Sequence, residues 1–136
     1  MNGSSFQISR AALDAVFAHA REMSPSECCG ILIGSGTKID DAAPARNLAE
    51  DPSRYLIDPA DHLAARRAAR SRGLEVVGFY HSHPHSAAWP SPTDLAEATY
   101  PEAVHLIVSL ADGVADARLF RIEPKTVTEL PLTTAP

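Results

Sequence analysis

The sequence lacks the cysteine pairs from which disulfide frameworks and many structural zinc sites are built. It contains two cysteines, Cys28 and Cys29, and they are neighbours in the chain. Adjacent cysteines rarely form a disulfide, and zinc sites built on cysteine pairs need a spacing such as C-x2-C, so both kinds of site are excluded. We interpret Cys28 as a small packing residue, and two free thiols are typical of a reducing compartment.

Long apolar runs and an excess of basic charge are absent as well. No stretch of 18 consecutive residues is apolar, and the first ten residues contain no apolar segment of the kind found in secretory signals. The 12 basic residues are outnumbered by 17 acidic ones, whereas a general nucleic-acid binder needs a basic surface to neutralise phosphates. We therefore expect a cytoplasmic protein whose partners include neither nucleic acid nor a membrane.

The chain is long enough for one domain with its own hydrophobic core. It has 136 residues, of which 45% are hydrophobic and 21% are charged, and these fractions are close to globular averages. A domain of this size buries roughly two-thirds of the surface that the unfolded chain exposes. The sequence therefore predicts a single domain over residues 1–136.

Hydrophobic periodicity and turn residues predict helices interleaved with strands. A first helix begins after Ser9 as N-cap and ends near Ser24, and a second begins at Asp58-Pro59 and ends at Gly73. A third, short helix begins at Ser91. Strands or extended segments are predicted at 28–34, within 35–44, and at 54–57, 75–80, 104–110, 117–122 and 126–130. This order predicts an α/β or α+β fold with a largely mixed sheet.

Three of the six histidines lie within five positions, at His81, His83 and His85, directly after a strong strand candidate. Side chains two residues apart on a strand share a face, and their Cα atoms are roughly 6.5–7 Å apart. Two imidazoles at that spacing can converge on one metal ion. Asp94, in the first turn of the next helix, is well placed as a third ligand. Two histidines and one carboxylate leave a coordination position for water, which is typical of a catalytic zinc site.

Each of these residues, taken alone, also has a simpler interpretation. An isolated H-x-H can be a pair of polar residues at the end of a strand. Ser91 and Asp94 together read as a capping box, and Glu27 alone is a loop carboxylate. His85 joins the face of the other two histidines only if the strand continues past Pro84. The metal hypothesis therefore depends on the combination.

The combination matches a known pattern. The run H-S-H-P begins at His81 and is followed, after six and then two further residues, by Ser91 and Asp94, with Glu27 upstream. This arrangement resembles the JAMM (MPN-plus) metallopeptidases, whose signature is a glutamate near a first buried strand and then H-[ST]-H-P-x6-S-x2-D. The run E-C-C-G from Glu27 stands where the family often has E-x-C-G. The resemblance extends from the first helix to about Ile122.

The resemblance implies a fold, a cofactor and a role for each motif residue. The fold would be similar to that of cytidine deaminases, with a curved mixed sheet flanked by helices. One zinc ion (Zn2+) per chain would be bound by His81, His83 and Asp94. Glu27 would be the general base that takes a proton from the zinc-activated water. Ser91 would form a hydrogen bond to that water or to the developing oxyanion.

The resemblance also implies a substrate class. Only 42 residues follow Asp94, without a further cysteine or histidine cluster, so the chain looks like the compact prokaryotic type, similar to Mec-plus-type enzymes. Those enzymes hydrolyse the amide bond after the C-terminal Gly-Gly of a ubiquitin-like or sulfur-carrier protein. We expect segment 47–57 to pair with such a tail by strand addition, with Arg54 and Tyr55 as candidate contacts. Trp89 is a candidate wall of the substrate channel or, equally, a packing residue.

Two alternatives stay open at this stage. One is a peptidase that acts on short peptides without a ubiquitin-like partner. The other is a non-catalytic interaction scaffold of the MPN type, against which the complete set of motif residues argues.

Overall fold

The computed structural model describes residues 4–98 and 100–136. Its helices are α1 (Arg10–Met23), α2 (Pro59–Ser71) and α3 (Pro92–Glu97), and a short 3-10 turn covers Ala111–Gly113. Its strands are β1 (Phe6–Ser9), β2 (Cys29–Ser35), β3 (Lys38–Ala45), β4 (Glu75–His83), β5 (Val104–Ser109), β6 (Asp116–Glu123), β7 (Thr126–Leu130) and β8 (Leu132–Ala135).

All eight strands form one mixed sheet in the order β7-β6-β5-β4-β2-β3-β1-β8. Strand β4 lies near the centre, antiparallel to β2 and parallel to β5. The sheet is curved and nearly closed, with the helices against it. The expected α+β fold with a mixed sheet is therefore confirmed. Likeness to cytidine deaminases stays an expectation.

The helix ends follow the local sequence signals. The Ser9 hydroxyl accepts a hydrogen bond from the Ala12 N–H and caps α1, and the Asp58 carboxylate accepts one from the Ala60 N–H and caps α2. Helix α2 ends before Gly73, whose φ of 72° lies in the left-handed region that glycine adopts without strain. None of the helices that the structure describes has the length and hydrophobicity needed to span a bilayer.

The core has a layer on each face of the sheet. Because side chains alternate along a strand, β2 sends Leu32 towards the layer that contains α1, while Ile31 and Ile33 face the layer that contains α2. Strand β4 divides in the same way, with Tyr80 in the α1 layer and Phe79 in the α2 layer. Both central strands are thus buried on two faces, which explains their nearly continuous apolar sequences.

Three local features differ from the sequence-based expectations. Strands β1 and β8 were missed because each has four residues and they pair with each other from opposite ends of the chain. Strand β4 was expected to end at Tyr80 but continues through His83. Segment 54–57 was expected to be extended, but it forms only an isolated bridge between Asn47 and Ile57. The Asn47 side chain donates a hydrogen bond to the Arg54 carbonyl and accepts one from the Leu56 N–H. These bonds replace the backbone pairing that a neighbouring strand would provide.

Strands β4 and β5 lie so close together at Gly78 that a larger residue there is predicted to destabilise the fold. A Cβ there would overlap the backbone carbonyl of Val104 on β5, which cannot move aside without disturbing the sheet. We expect Gly78→Ala to lower the free energy of unfolding by about 2–3 kcal/mol or more, measured by urea denaturation. Gly73→Ala is the matched control, because a Cβ there meets nothing within 4 Å and costs only the left-handed backbone strain, about 1 kcal/mol. Equal losses in the two variants would contradict the argument.

Candidate metal centre

The end of β4 places two imidazoles on one face of the sheet. His81 and His83 alternate with Ser82 and follow Phe79, so they point towards the α2 layer. Both are buried, with 1% and 2% of their surface exposed. Ser82 points the other way and accepts a hydrogen bond of 2.8 Å from the Cys28 N–H. The extension of β4 beyond Tyr80 is therefore what brings both histidines into the interior.

Helix α3 brings a carboxylate to the same point. The Asp94 N–H donates to Ser91 Oγ at 3.0 Å, and the Ser91 N–H donates to Asp94 Oδ2 at 2.9 Å. This is the capping box that the sequence suggested. The same Oδ2 atom lies 3.1 Å from His81 Nε2 and 3.0 Å from His83 Nε2. The capping interpretation and the ligand interpretation of Asp94 are thus compatible, because the cap orients the carboxylate.

The three atoms have the spacing expected of ligands that share a metal ion. The two Nε2 atoms are 3.2 Å apart, and His81, His83 and Asp94 form a buried group able to hold a metal. Two ligand atoms at about 2.0–2.1 Å from a tetrahedral zinc ion are roughly 3.3 Å apart. The separations of 3.0–3.2 Å therefore fit such an ion.

A backbone carbonyl strengthens this interpretation. The Ala87 carbonyl lies 2.8 Å from His83 Nδ1 and needs a proton on that nitrogen. In the neutral imidazole, Nε2 then carries a lone pair that points at the Asp94 carboxylate. Two lone pairs at 3.0 Å repel unless a cation lies between them, so the arrangement requires a proton or a metal ion.

The pKa shifts of Asp94 and His83 favour the pairing of a carboxylate with a positive charge. Burial alone would raise the pKa of Asp94, but hydrogen bonds from the two imidazoles outweigh it and hold that pKa well below its usual range. Burial lowers the pKa of His81, against the opposing effect of its hydrogen bond with Asp94. For His83, burial acts in the same direction, but the contacts with Asp94 and Ala87 prevail and raise its pKa.

Glu27 lies in this buried neighbourhood with one oxygen unpaired. It is 6% exposed, and its Oε1 has no hydrogen-bond partner among residues 4–98 and 100–136. Burial raises its pKa to about 8, with the charge of His83 opposing the shift and that of Asp94 adding to it. Its backbone is held by the Pro52 carbonyl at 3.0 Å and the Asn47 side chain at 3.1 Å. A buried carboxyl with a pKa near neutrality is suited to proton transfer.

The other predicted residues lie in different surroundings. The Tyr55 ring stacks on the His81 ring, with centroids 4.3 Å apart. Arg54 is exposed and forms an ion pair of 2.6 Å with Glu97 on α3. Trp89 is 50% exposed and packs edge-on against Phe120.

Two residues with open roles lie away from the metal group. His85 is exposed and lies outside that group, as the break at Pro84 predicts. Cys28 is buried in the α1 layer, which agrees with the packing interpretation, and burial raises its pKa to about 11.

Sequence reasoning missed two further histidines beside this site. Neither His62 on α2 nor His105 on β5 was among the candidate site residues that the sequence suggested. Together with Asp94 they line one cavity. The signal in the sequence was His105 itself, a polar residue within the apolar run from Val104 to Val108.

The capping role of Ser91 generates a prediction about stability. Ser91→Ala removes the acceptor for the Asp94 N–H, so we expect the free energy of unfolding to fall by about 1 kcal/mol, while Ser91→Thr largely restores it. The measurement is urea denaturation of the metal-free protein, which separates the cap from any effect of metal. An unchanged free energy of unfolding in Ser91→Ala would mean that the cap does not stabilise α3.

Comparison with known proteins agrees with the geometry. The family of prokaryotic homologues of the JAB domain matches residues 9–123. A desampylase from Haloferax volcanii is 38% identical over 116 residues, covering 80% of this chain and 84% of that protein. A CysO-cysteine peptidase from Mycobacterium tuberculosis is 35% identical over 123 residues, covering 88% and 84%. The solution structure of a protein from Desulfitobacterium hafniense superimposes with a TM-score of 0.87 at 30% identity, covering 96% and 92% of the two chains. The chain therefore belongs to the prokaryotic branch of the JAB-domain (JAMM/MPN) family.

Proposed function

We propose that this protein is a zinc metallopeptidase that hydrolyses the amide bond after the C-terminal Gly-Gly of a ubiquitin-like or sulfur-carrier protein. The observation that carries the proposal is the convergence of His81, His83 and Asp94 on one buried point. The charges of His83 and Asp94 act on the buried carboxyl of Glu27, whose Oε1 has no partner among the described residues. The names of the desampylase and the CysO-cysteine peptidase support the substrate class.

The donor set suits one zinc ion per chain. Two imidazole nitrogens and one carboxylate oxygen are the ligands of many catalytic zinc sites, in which a further position stays open. The Ala87 carbonyl accepts from His83 Nδ1 and the Ser91 N–H donates to Asp94 Oδ2, and these two contacts orient the groups that would bind the metal. When bound, zinc supplies a Lewis acid that polarises the substrate carbonyl and acidifies water.

The residues of the chain supply the proton transfers. Glu27 takes a proton from the attacking water and later returns it to the leaving amine, so one carboxylate serves both steps. Ser91 Oγ accepts a bond from the Asp94 N–H, which leaves its own O–H free to donate to the developing oxyanion. Loss of an oxyanion donor typically costs a factor of about 10²–10³ in rate.

The carrier tail approaches along segment 47–57 and the adjoining loops. The Tyr55 ring stacks on the His81 ring. Arg54 exposes its charged guanidinium group, and Trp89 exposes half of its apolar side chain. These three residues are the proposed contacts for the tail.

Since both chain ends pair in one sheet through β1 and β8, we also propose one domain over residues 1–136. The two free thiols support a cytoplasmic location.

The test of this function is cleavage of a sulfur-carrier protein extended by one cysteine after its Gly-Gly tail. We expect the zinc-loaded protein to remove that cysteine, observed by intact-mass spectrometry. Glu27→Gln should keep zinc at one ion per chain but lose activity by a factor of at least about 10²–10³, because the base is absent.

Metal content supplies the control for that test. His83→Ala and Asp94→Ala should lose both zinc and cleavage, since each removes one ligand. Cleavage by Glu27→Gln at the wild-type rate would show that another group is the base. Absence of cleavage by the wild-type protein with zinc bound would favour short peptides or a scaffold role.

The ion pair between Arg54 and Glu97 allows a matched test of substrate contact. Arg54→Ala and Glu97→Gln both remove the pair, but only the first removes the guanidinium. An exposed ion pair adds little stability, so we expect Glu97→Gln to change the kinetics little. Arg54→Ala should raise KM about tenfold with kcat within about twofold, because it deletes a charged contact with the carrier. Equal kinetic effects in the two variants would mean that Arg54 acts only by fastening the loop to α3.

A further inference from the structure

Asn47 lies opposite Glu27, the proposed base, where the pairing of β2 with β3 ends. These strands are antiparallel, and Cys29 is the partner of Ala45 in their ladder. Continuing that register by two residues brings Glu27 opposite Asn47. Asn47 Nδ2 donates a hydrogen bond of 3.1 Å to the Glu27 carbonyl. The half-buried Asn47 side chain is therefore joined directly to the backbone of the base.

The side-chain amide of Asn47 makes four hydrogen bonds, all to backbone groups. Its Nδ2 donates to the carbonyls of Glu27 and Arg54, at 3.1 Å and 3.0 Å. Its Oδ1 accepts from the N–H groups of Ala49 and Leu56, both at 2.9 Å. A primary amide has two N–H donors and two lone pairs on its oxygen, so these four bonds fill its capacity. The partners also fix which amide atom is nitrogen and which is oxygen, and the side chain has one orientation.

Both backbone polar groups of Glu27 are bonded to segment 47–57. Its carbonyl accepts from Asn47, and its N–H donates to the Pro52 carbonyl at 3.0 Å. Its side-chain Oε1 has no hydrogen-bond partner within residues 4–98 and 100–136. The position of the Glu27 carboxyl therefore depends on where this segment holds the backbone.

The same segment contacts a proposed metal ligand. Tyr55 lies between Arg54 and Leu56, the two residues whose backbone groups Asn47 binds. The Tyr55 ring stacks on the His81 ring, with centroids 4.3 Å apart and an angle of 19° between the planes. Stacked rings attract each other, so this contact restrains the plane of the imidazole. Asn47 thus connects the base on one side with a residue that covers a metal ligand on the other.

We propose that Asn47 is a positioning residue, whose side chain fixes Glu27 and the Tyr55 ring on His81 relative to each other. The inference rests on the proposed function, which makes Glu27 the base and His81 a zinc ligand. Proton transfer depends on accurate placement, and a displacement of about 1 Å can cost a factor of about 10² in rate. Loss of the Asn47 amide is therefore expected to slow the reaction while the three ligands stay in place.

Two variants of Asn47 separate its donors from its acceptors. Asn47→Asp has nearly the same size and keeps acceptor oxygens, but a carboxylate cannot donate to the carbonyls of Glu27 and Arg54. Asn47→Ala removes all four bonds. Ser9→Ala is the matched control, because it also removes a bond between a side chain and the backbone, at the start of α1 and outside segment 47–57.

The first readout does not depend on cleavage. The ring current of Tyr55 shifts the NMR signals of the His81 ring protons, and Tyr55→Leu abolishes this shift and so defines its full size. We expect both Asn47 variants to move the His81 signals towards their positions in Tyr55→Leu, with and without zinc, because the backbone on either side of Tyr55 is released. Ser9→Ala should leave these signals in place.

The second readout is the kinetics of carrier cleavage by the zinc-loaded protein. We expect Asn47→Asp and Asn47→Ala to lower kcat by about 10–10²-fold, with zinc staying at one ion per chain. A larger effect on kcat than on KM separates placement of the base from loss of a contact with the carrier. Ser9→Ala should keep kcat within about twofold, since a helix cap distant from the site affects stability and not the reaction.

A kcat within about twofold of the wild-type value in both Asn47 variants, or unmoved His81 signals in both, would overturn the inference. Loss of zinc from both variants, or absence of a cooperative urea transition, would overturn it too, because Asn47 would then serve the fold and not the placement of Glu27. If the zinc-loaded wild-type protein does not cleave the carrier, the proposed function fails. The NMR readout then still decides whether Asn47 holds Tyr55 on His81, so the two failures can be told apart.

Discussion

The constraint on which this structure depends is the burial of two imidazoles and a carboxylate that point at one another. His81 Nε2, His83 Nε2 and Asp94 Oδ2 lie 3.0–3.2 Å apart in a region closed to solvent. Such a group is unfavourable unless a cation neutralises it. The strands and the helix around this group hold its three side chains in place. The proposed chemistry depends on that arrangement.

Three kinds of local contact hold the group in place. Parallel pairing of β4 with β5 and antiparallel pairing with β2 keep the end of β4 extended as far as His83. The capping box of α3 aims the Asp94 oxygen, and the Ala87 carbonyl sets the His83 tautomer. Most of these contacts involve backbone atoms, so the precision of the site comes from the fold more than from neighbouring side chains.

The site has two sides with different character. Towards Glu27 there is a buried oxygen that has no partner within the described part of the chain, and a loop held by Asn47, which suits proton transfer. Towards His105 there is a cavity lined by aromatic rings together with the charged side chains of Arg54, Asp94 and Glu97. Burial raises the pKa of the Glu27 carboxyl and lowers that of the His105 imidazole, because it disfavours the charged form of each group.

The sequence by itself determined the helices, the central strands and the motif. Their signals are local: the caps Ser9 and Asp58, the left-handed Gly73 and the apolar runs of β2 and β5 each act within a few residues. The spacing of His81, His83, Ser91 and Asp94 is likewise a property of two short segments.

Only the tertiary structure decided how far β4 extends, how β1 and β8 pair, and which side chains line the cavity beside the metal centre. Each of these depends on contacts between residues distant in sequence, such as Phe79 beside His105 and Tyr55 on His81. Segment 54–57 illustrates the limit, because its backbone bonds to the side chain of Asn47 instead of a neighbouring strand. Local propensity carries no information about such a long-range competitor for hydrogen bonds, and the folded chain alone resolves it.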